Sequence, residues 1–212
     1  MPSASPAPTH DPRIDSVLAF WLGAAPPTDA SALLQQKRWF TKSEATDDAI
    51  RQRFGALIAQ ARAGQLDAWA QTPLGRLALV LVLDQFSRNA HRGQPASFAA
   101  DAQALALAEQ GLANGHTDAL PLVARAFMAL PLEHAEDLAR QDRTVQLMTD
   151  WTAQAASAAP GVQALLAGML DYAHQHRDVI ARFGRFPHRN AILGRASTPA
   201  ELAYLAQPGA GF

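Results

Sequence analysis

Apolar residues recur at helical spacing along almost the whole chain, and no stretch alternates polar and apolar residues as a half-buried strand does. That pattern restricts the chain to an all-α fold. Alanine, the residue with the lowest helical cost, supplies 46 of the 212 positions and reinforces it. Ile14, Val17, Leu18 and Trp21 place one helix from Asp11 to Leu22, stopped by Gly23 and the Pro26–Pro27 pair. Ile50, Phe54, Leu57, Ile58 and Ala61 form the stripe of a second, from Ser43 to Ala63. Thr72-Pro73 reads as an N-cap followed by proline at the first helical position. The helix it opens runs to about Asn89 and is apolar nearly all round from Leu77 to Leu83, the pattern of a helix buried on most sides. Further helices are expected at 95–113, 119–130, 135–158, 161–183 and 198–206. The short connections predict antiparallel hairpins, eight to ten helices in all, in a bundle or array. One domain, 11–207, is expected between a loose Pro/Ser/Ala-rich tail at 1–10 and a short tail at 208–212.

Several function classes fall away on composition. Without cysteine there is no disulfide, thiolate zinc site, cysteine nucleophile or covalent c-type haem. A net charge of -1 argues against a dedicated nucleic-acid binder. The N-terminus lacks the basic and apolar regions of a secretory signal, and the longest apolar run is far short of the roughly 20 residues of a membrane span. A cytoplasmic protein is the expectation. The phosphate-loop, dinucleotide, nucleophile-elbow and zincin motifs are all missing.

Three polar clusters interrupt the apolar pattern. Asp84 follows Val80 by four residues and Leu77 by seven, so it shares their buried face and needs a partner. Arg88 and Arg92 follow on the same side of the helix, with Asn89 between them. The second cluster is Glu133-His134-Ala135-Glu136-Asp137. Pro131 is expected to break the preceding helix, placing His134 and Glu136 near the next N-terminus, where the dipole favours acids and a neutral imidazole. Asp137 suits ordinary capping. The third cluster, residues 174–195, holds five arginines and three histidines against one acid, Asp178. His176 falls on the apolar stripe of its helix and should face inward. Arg182, Arg185, Arg189, His188 and Asn190 follow around the helix-breaking Gly184 and Pro187, a concentration suited to a carboxylate or phosphate. A weak echo links Phe86…Arg88-Asn89-Ala90 to Phe186…Arg189-Asn190-Ala191.

Taken in order, these stretches resemble the bacterial "domain of unknown function 924" family. The matching residues include Val17 to Trp21, Trp39-Phe40, Leu83 to Phe86, Arg88-Asn89, Phe98, Asp101, Pro131, His134, Glu136, His176 and the run from Arg182 through Asn190. The resemblance implies a tetratricopeptide-like all-α fold and gives no activity. The family usually carries Pro at Ser87 and Ser at Ala135, so Ser87 is expected to loosen a turn and Ala135 supplies no hydroxyl. The resemblance also implies that the polar residues serve one site.

The leading expectation is a buried pocket for a small anionic ligand, phosphate or carboxylate, with hydrolysis or group transfer as the chemistry. His134, Glu136 and His188 are the proton-transfer candidates. Asp84, Arg88, Asn89, Arg92, His176, Arg182, Arg185, Arg189 and Asn190 are the binding candidates. No cofactor is identified and no metal is assigned, because His134, Glu136 and His176 lack zincin spacing. The alternative is an interaction scaffold of helical hairpins that binds an acidic peptide or partner.

Overall fold

The computed structural model describes residues 10–157 and 160–211, and within them the chain is helical with no strand. Most of the expected loose tail, residues 1–9, lies outside the described residues, as does the end of the helix expected at 135–158. Helix α1 (Pro12–Leu22) starts at Asp11, whose carboxylate accepts hydrogen bonds from the Arg13 backbone and from the Trp69 indole. Gly23, at φ 83°, closes it in the left-handed conformation that glycine adopts freely. Two five-residue helices follow, α2 (Asp29–Leu33) and α3 (Gln36–Phe40), neither expected from periodicity because one turn carries no repeat. Asp29 also reaches 94 residues along the chain to accept the backbone N–H of Val123 at 2.8 Å. Helix α4 (Glu44–Arg62) begins at the Ser43 cap.

Helix α5 (Pro73–Val80) starts at Thr72, whose side chain accepts from the Gly75 N–H. It passes without a break into a π-helical turn, Leu81–Phe86, and then into α6 (Ser87–Ala90). A π-turn adds a residue to the helical circuit and redirects the side chains it carries, here Asp84. Ser87 is buried within this continuous helix and donates its hydroxyl to the Val82 carbonyl. No turn exists at that point to be loosened. The chain continues through α7 (Asp101–Ala113), α8 (Leu122–Glu133), α9 (Leu138–Gln154), α10 (Pro160–Phe183) and α11 (Pro199–Leu205).

Pro131 does not break its helix. It lies within α8, and His134 caps the C-terminal end rather than opening the next helix. The proline removes one backbone bond, but α8 is buried nearly all round, from Ala126 to Glu133 without interruption, and this packing outweighs the loss. Asp137 caps α9 by accepting from the Arg140 N–H.

The core is centred on α5 and its π-turn, whose residues 77–83 are fully buried. Edge-to-face rings from Phe20, Trp21, Trp39 and Phe127, with Phe54 and Phe86, tie α1, α3, α4, α8 and the π-turn together. Fully buried alanines, among them Ala78, Ala104, Ala126 and Ala173, let helices approach closely. Helix α9 lies along α10, and α8 packs on α7 and α9. A second small cluster of Val179, Ile180 and Phe186, covered by Phe183 and Tyr204, returns the C-terminal segment onto the end of α10. Among the described residues no helix is long and apolar enough to cross a membrane.

Candidate functional site

Helix α6 with the segment that follows it (92–98), the end of α8, the C-terminal half of α10 and the arginine-rich turn after α10 meet around one cavity of about 260 Å³. Three arginines (Arg88, Arg92, Arg189) and three histidines (His134, His176, His188) line it, with Phe98 and Ile192 as apolar wall and, among the described residues, no acid in the lining. The carboxylates lie behind the cations. Asp84 is almost fully buried; its Oδ1 sits 2.7 Å from His134 Nδ1 and 3.3 Å from the Arg88 guanidinium. A carboxylate only accepts, so His134 Nδ1 carries a proton and donates it to Asp84. That leaves His134 Nε2 as the acceptor nitrogen. Gln85 Nε2 donates to the other oxygen of Asp84 at 2.6 Å.

Asp101, at the start of α7, joins two distant parts of the chain. Arg88 Nη2 reaches its Oδ1 at 2.9 Å and Arg189 Nη1 its Oδ2 at 3.4 Å. The two arginines of the sequence echo therefore share one carboxylate. They also share a ring, with the Arg88 and Arg189 guanidinium carbons 5.5 and 4.8 Å from the Phe98 centroid. Arg189 lies 4.4 Å from the Phe186 ring as well. It is only 6% exposed, and its Nε–H is buried without a hydrogen-bond acceptor. The echo ends at the asparagines. Asn89 bridges the Gln85 carbonyl and Arg92, whereas Asn190 is buried and donates to the Ser197 hydroxyl.

Burial and charge set the protonation of the site. Burial pushes the Asp84 carboxyl up, but the pull of His134 and Arg88 outweighs it and holds the carboxyl well below the ordinary range. Burial, then the Arg88 charge, lowers His134, with Asp84 pulling the other way. Burial brings His176 down to about 3 and His188 to about 4. Burial lowers Arg189 to about 10. Near neutral pH the three imidazoles are therefore uncharged and the cavity's positive charge resides on arginine. Burial and the Arg88 charge depress His134 against the end of α8, which would by itself favour imidazolium.

Other expected site residues lie elsewhere. Glu136 accepts from both Arg195 Nη groups, at 2.6 and 2.9 Å, and from the Phe186 backbone, so it fastens the turn after α10. Arg185 forms a forked pair with Glu201, which caps α11. Arg182 is exposed and stacks on Phe183. Asn190 holds the turn from within. Glu136, Arg185 and Asn190 engage partners that the C-terminal fold-back brings close, whereas Arg182 meets its chain neighbour. Arg92 keeps a place on the cavity rim while pairing with the buried Asp47 at 2.7 Å. Asp101 and Asp47, which hold the cavity's arginines, are residues that the sequence patterns did not single out for the site. Among the described residues no group of three or more His, Asp or Glu stands close enough to hold a metal ion.

Comparison with known proteins adds kinship without an activity. No curated protein matches. The solved structure of a protein of unknown function, ATU0120, from Agrobacterium tumefaciens is similar at 34% identity and a TM-score of 0.74, over 92% of this chain and 99% of that one. The model of the family described as "Bacterial protein of unknown function (DUF924)" matches residues 17–209, and the chain belongs to that family.

Proposed function

We propose that this cavity binds a small phosphate- or carboxylate-bearing molecule and catalyses hydrolysis or group transfer on it. The observation that carries this reading is Arg189. A guanidinium so deeply buried, with an unsatisfied Nε–H and, among the described residues, a single long ion pair, has donor capacity that an anion would complete. Arg88 adds a second cation held in place by Asp84 and Asp101. The aromatic faces of Phe98 and Phe186 fix the planar fork of Arg189 ahead of binding.

The Asp84–His134 pair supplies the proton-transfer chemistry. His134 Nε2 takes the proton of an attacking water or hydroxyl as the new bond to phosphorus or carbonyl carbon forms. Asp84 stabilises the imidazolium so produced. As the bond to the leaving oxygen breaks, the same nitrogen returns the proton to it. Arg88 and Arg189 balance charge that develops on the anion. His176 and His188, neutral at working pH, serve as hydrogen-bonding walls rather than as cations.

Melting the protein with inorganic phosphate, phosphomonoesters and dicarboxylates tests this. At least one anion class should raise the melting temperature, and esters of that class should turn over in wild type but not in His134→Ala. The absence of stabilisation by every anion tried would overturn it.

A further inference from the structure

A second cavity, of about 130 Å³, lies across His134 from the first and has the opposite polarity. Its walls are aromatic: Trp39 and Phe40 from α3, Phe127 from α8 and Tyr172 from α10. The rings stand at steep angles, Trp39 at 66° to Phe127 with centroids 4.6 Å apart and at 89° to Phe40 with centroids 6.0 Å apart. They enclose space rather than stack into it. Among the described residues no lysine or arginine lines this cavity, and the one acid is Glu133 at the end of α8. Glu133 is 4% exposed. Its Oε1 lies 3.3 Å from His176 Nδ1, which also donates to the Tyr172 carbonyl at 2.9 Å. Its Oε2 is buried with no hydrogen-bond partner.

We propose that this cavity is a binding site for an organic ammonium group, seated among the rings of Trp39, Phe40, Phe127 and Tyr172 with Glu133 as its counter-ion. Aromatic faces attract a cation electrostatically, most strongly when water is excluded, and they do so without a directed hydrogen bond. A buried carboxyl oxygen without a partner is costly alone and complementary to a positive ligand. Burial and the charge of Asp84 raise the Glu133 carboxyl to about 8, the behaviour of an acid whose cation is missing. The mouth is open to ligand: Phe40 is 57% exposed and Tyr172 53%. The site stands on residues distinct from the arginine cavity, and only His134 is common to both.

The test is calorimetric titration of the full chain with choline and with 3,3-dimethylbutan-1-ol, its uncharged carbon isostere. Choline should bind saturably and at least about tenfold tighter than the isostere. Glu133→Gln should abolish that preference. Phe40→Ala, at a position 57% exposed, should weaken choline several-fold, so the proposal remains testable if Glu133→Gln fails to fold. Equal affinity for the two compounds, an unchanged preference in Glu133→Gln, unchanged choline binding in Phe40→Ala, or no saturable choline binding would each overturn it.

Discussion

His134 Nδ1 stands 2.7 Å from Asp84 Oδ1 across fifty residues of sequence, joining the end of α8 to the π-turn of the central helix. The contact fixes the imidazole's tautomer and leaves Nε2 as its acceptor nitrogen. It also makes Asp84 the shared support of one histidine and one arginine. Removing it would leave Arg88 buried with Asp101 as its remaining acid. Asp84→Ala should therefore destabilise the fold by about 3–5 kcal/mol, measured by urea unfolding at neutral pH. Asp84→Asn, which keeps the shape and one acceptor, should cost clearly less.

Glu133 gives the stability a pH signature. Its carboxyl is raised from 4.5 to about 8 in the folded chain, so the folded state keeps a proton that the unfolded state has lost between those values. The stability tied to that proton is complete below about pH 4.5 and is lost as pH rises toward 8. Its slope is at most about 1.4 kcal/mol per pH unit. In Glu133→Gln this slope should vanish, so the variant gains on wild type steadily from pH 5 to pH 8 in urea titrations. A constant difference across that range would contradict the assignment.

His176 and His188 act in the opposite direction. Their folded values, about 3 and about 4, lie below the ordinary 6.5. The stability gained from keeping them neutral is present above 6.5 and is lost as pH falls through the folded values. His188→Gln should reduce the acid sensitivity of the melting temperature between pH 6.5 and 4, while leaving it nearly unchanged above pH 7.

Two helical glycines should respond to alanine with opposite signs. A Cβ at Gly55, inside α4, meets nothing within 4 Å, so Gly55→Ala should stabilise by about 0.5–1 kcal/mol. A Cβ at Gly75, in the first turn of α5, would come within 2.2 Å of the Trp69 carbonyl oxygen and 2.8 Å of the Thr72 hydroxyl oxygen. Gly75→Ala should cost about 1–3 kcal/mol, because backbone must move. Thermal unfolding of both variants checks the pair.

Much of the helical framework was legible because its causes are local. Ser43 and Thr72 are caps where side-chain chemistry predicts them, and the apolar run from Leu77 to Leu83 is buried as its lack of a polar face requires. The short helices α2 and α3 escaped because five residues carry no periodicity. Pro131 misled because a local breaking tendency was overridden by packing. Around the cavity, His134, His176 and Arg189 stood out as polar residues against an apolar background. Asp101 did not, since an acid in a first helical turn has an ordinary explanation, and its meaning lies in arginines 13 and 88 residues away. Glu136 and Arg185 looked like site residues until the C-terminal fold-back brought Arg195 and Glu201 to them. Residue type reveals the capacity to bind charge, whereas only the folded chain reveals which charges are already matched.

That distinction sets the decisive measurement: calorimetric titration of inorganic phosphate into wild type, Arg189→Gln and Arg185→Gln. Arg189 has donor capacity to spare in the cavity, while Arg185 is already paired with Glu201 outside it. Phosphate should bind wild type and Arg185→Gln alike, and Arg189→Gln at least about tenfold more weakly, the loss of one charge-assisted hydrogen bond. Equal binding by Arg189→Gln and wild type would contradict an anion site built on Arg189.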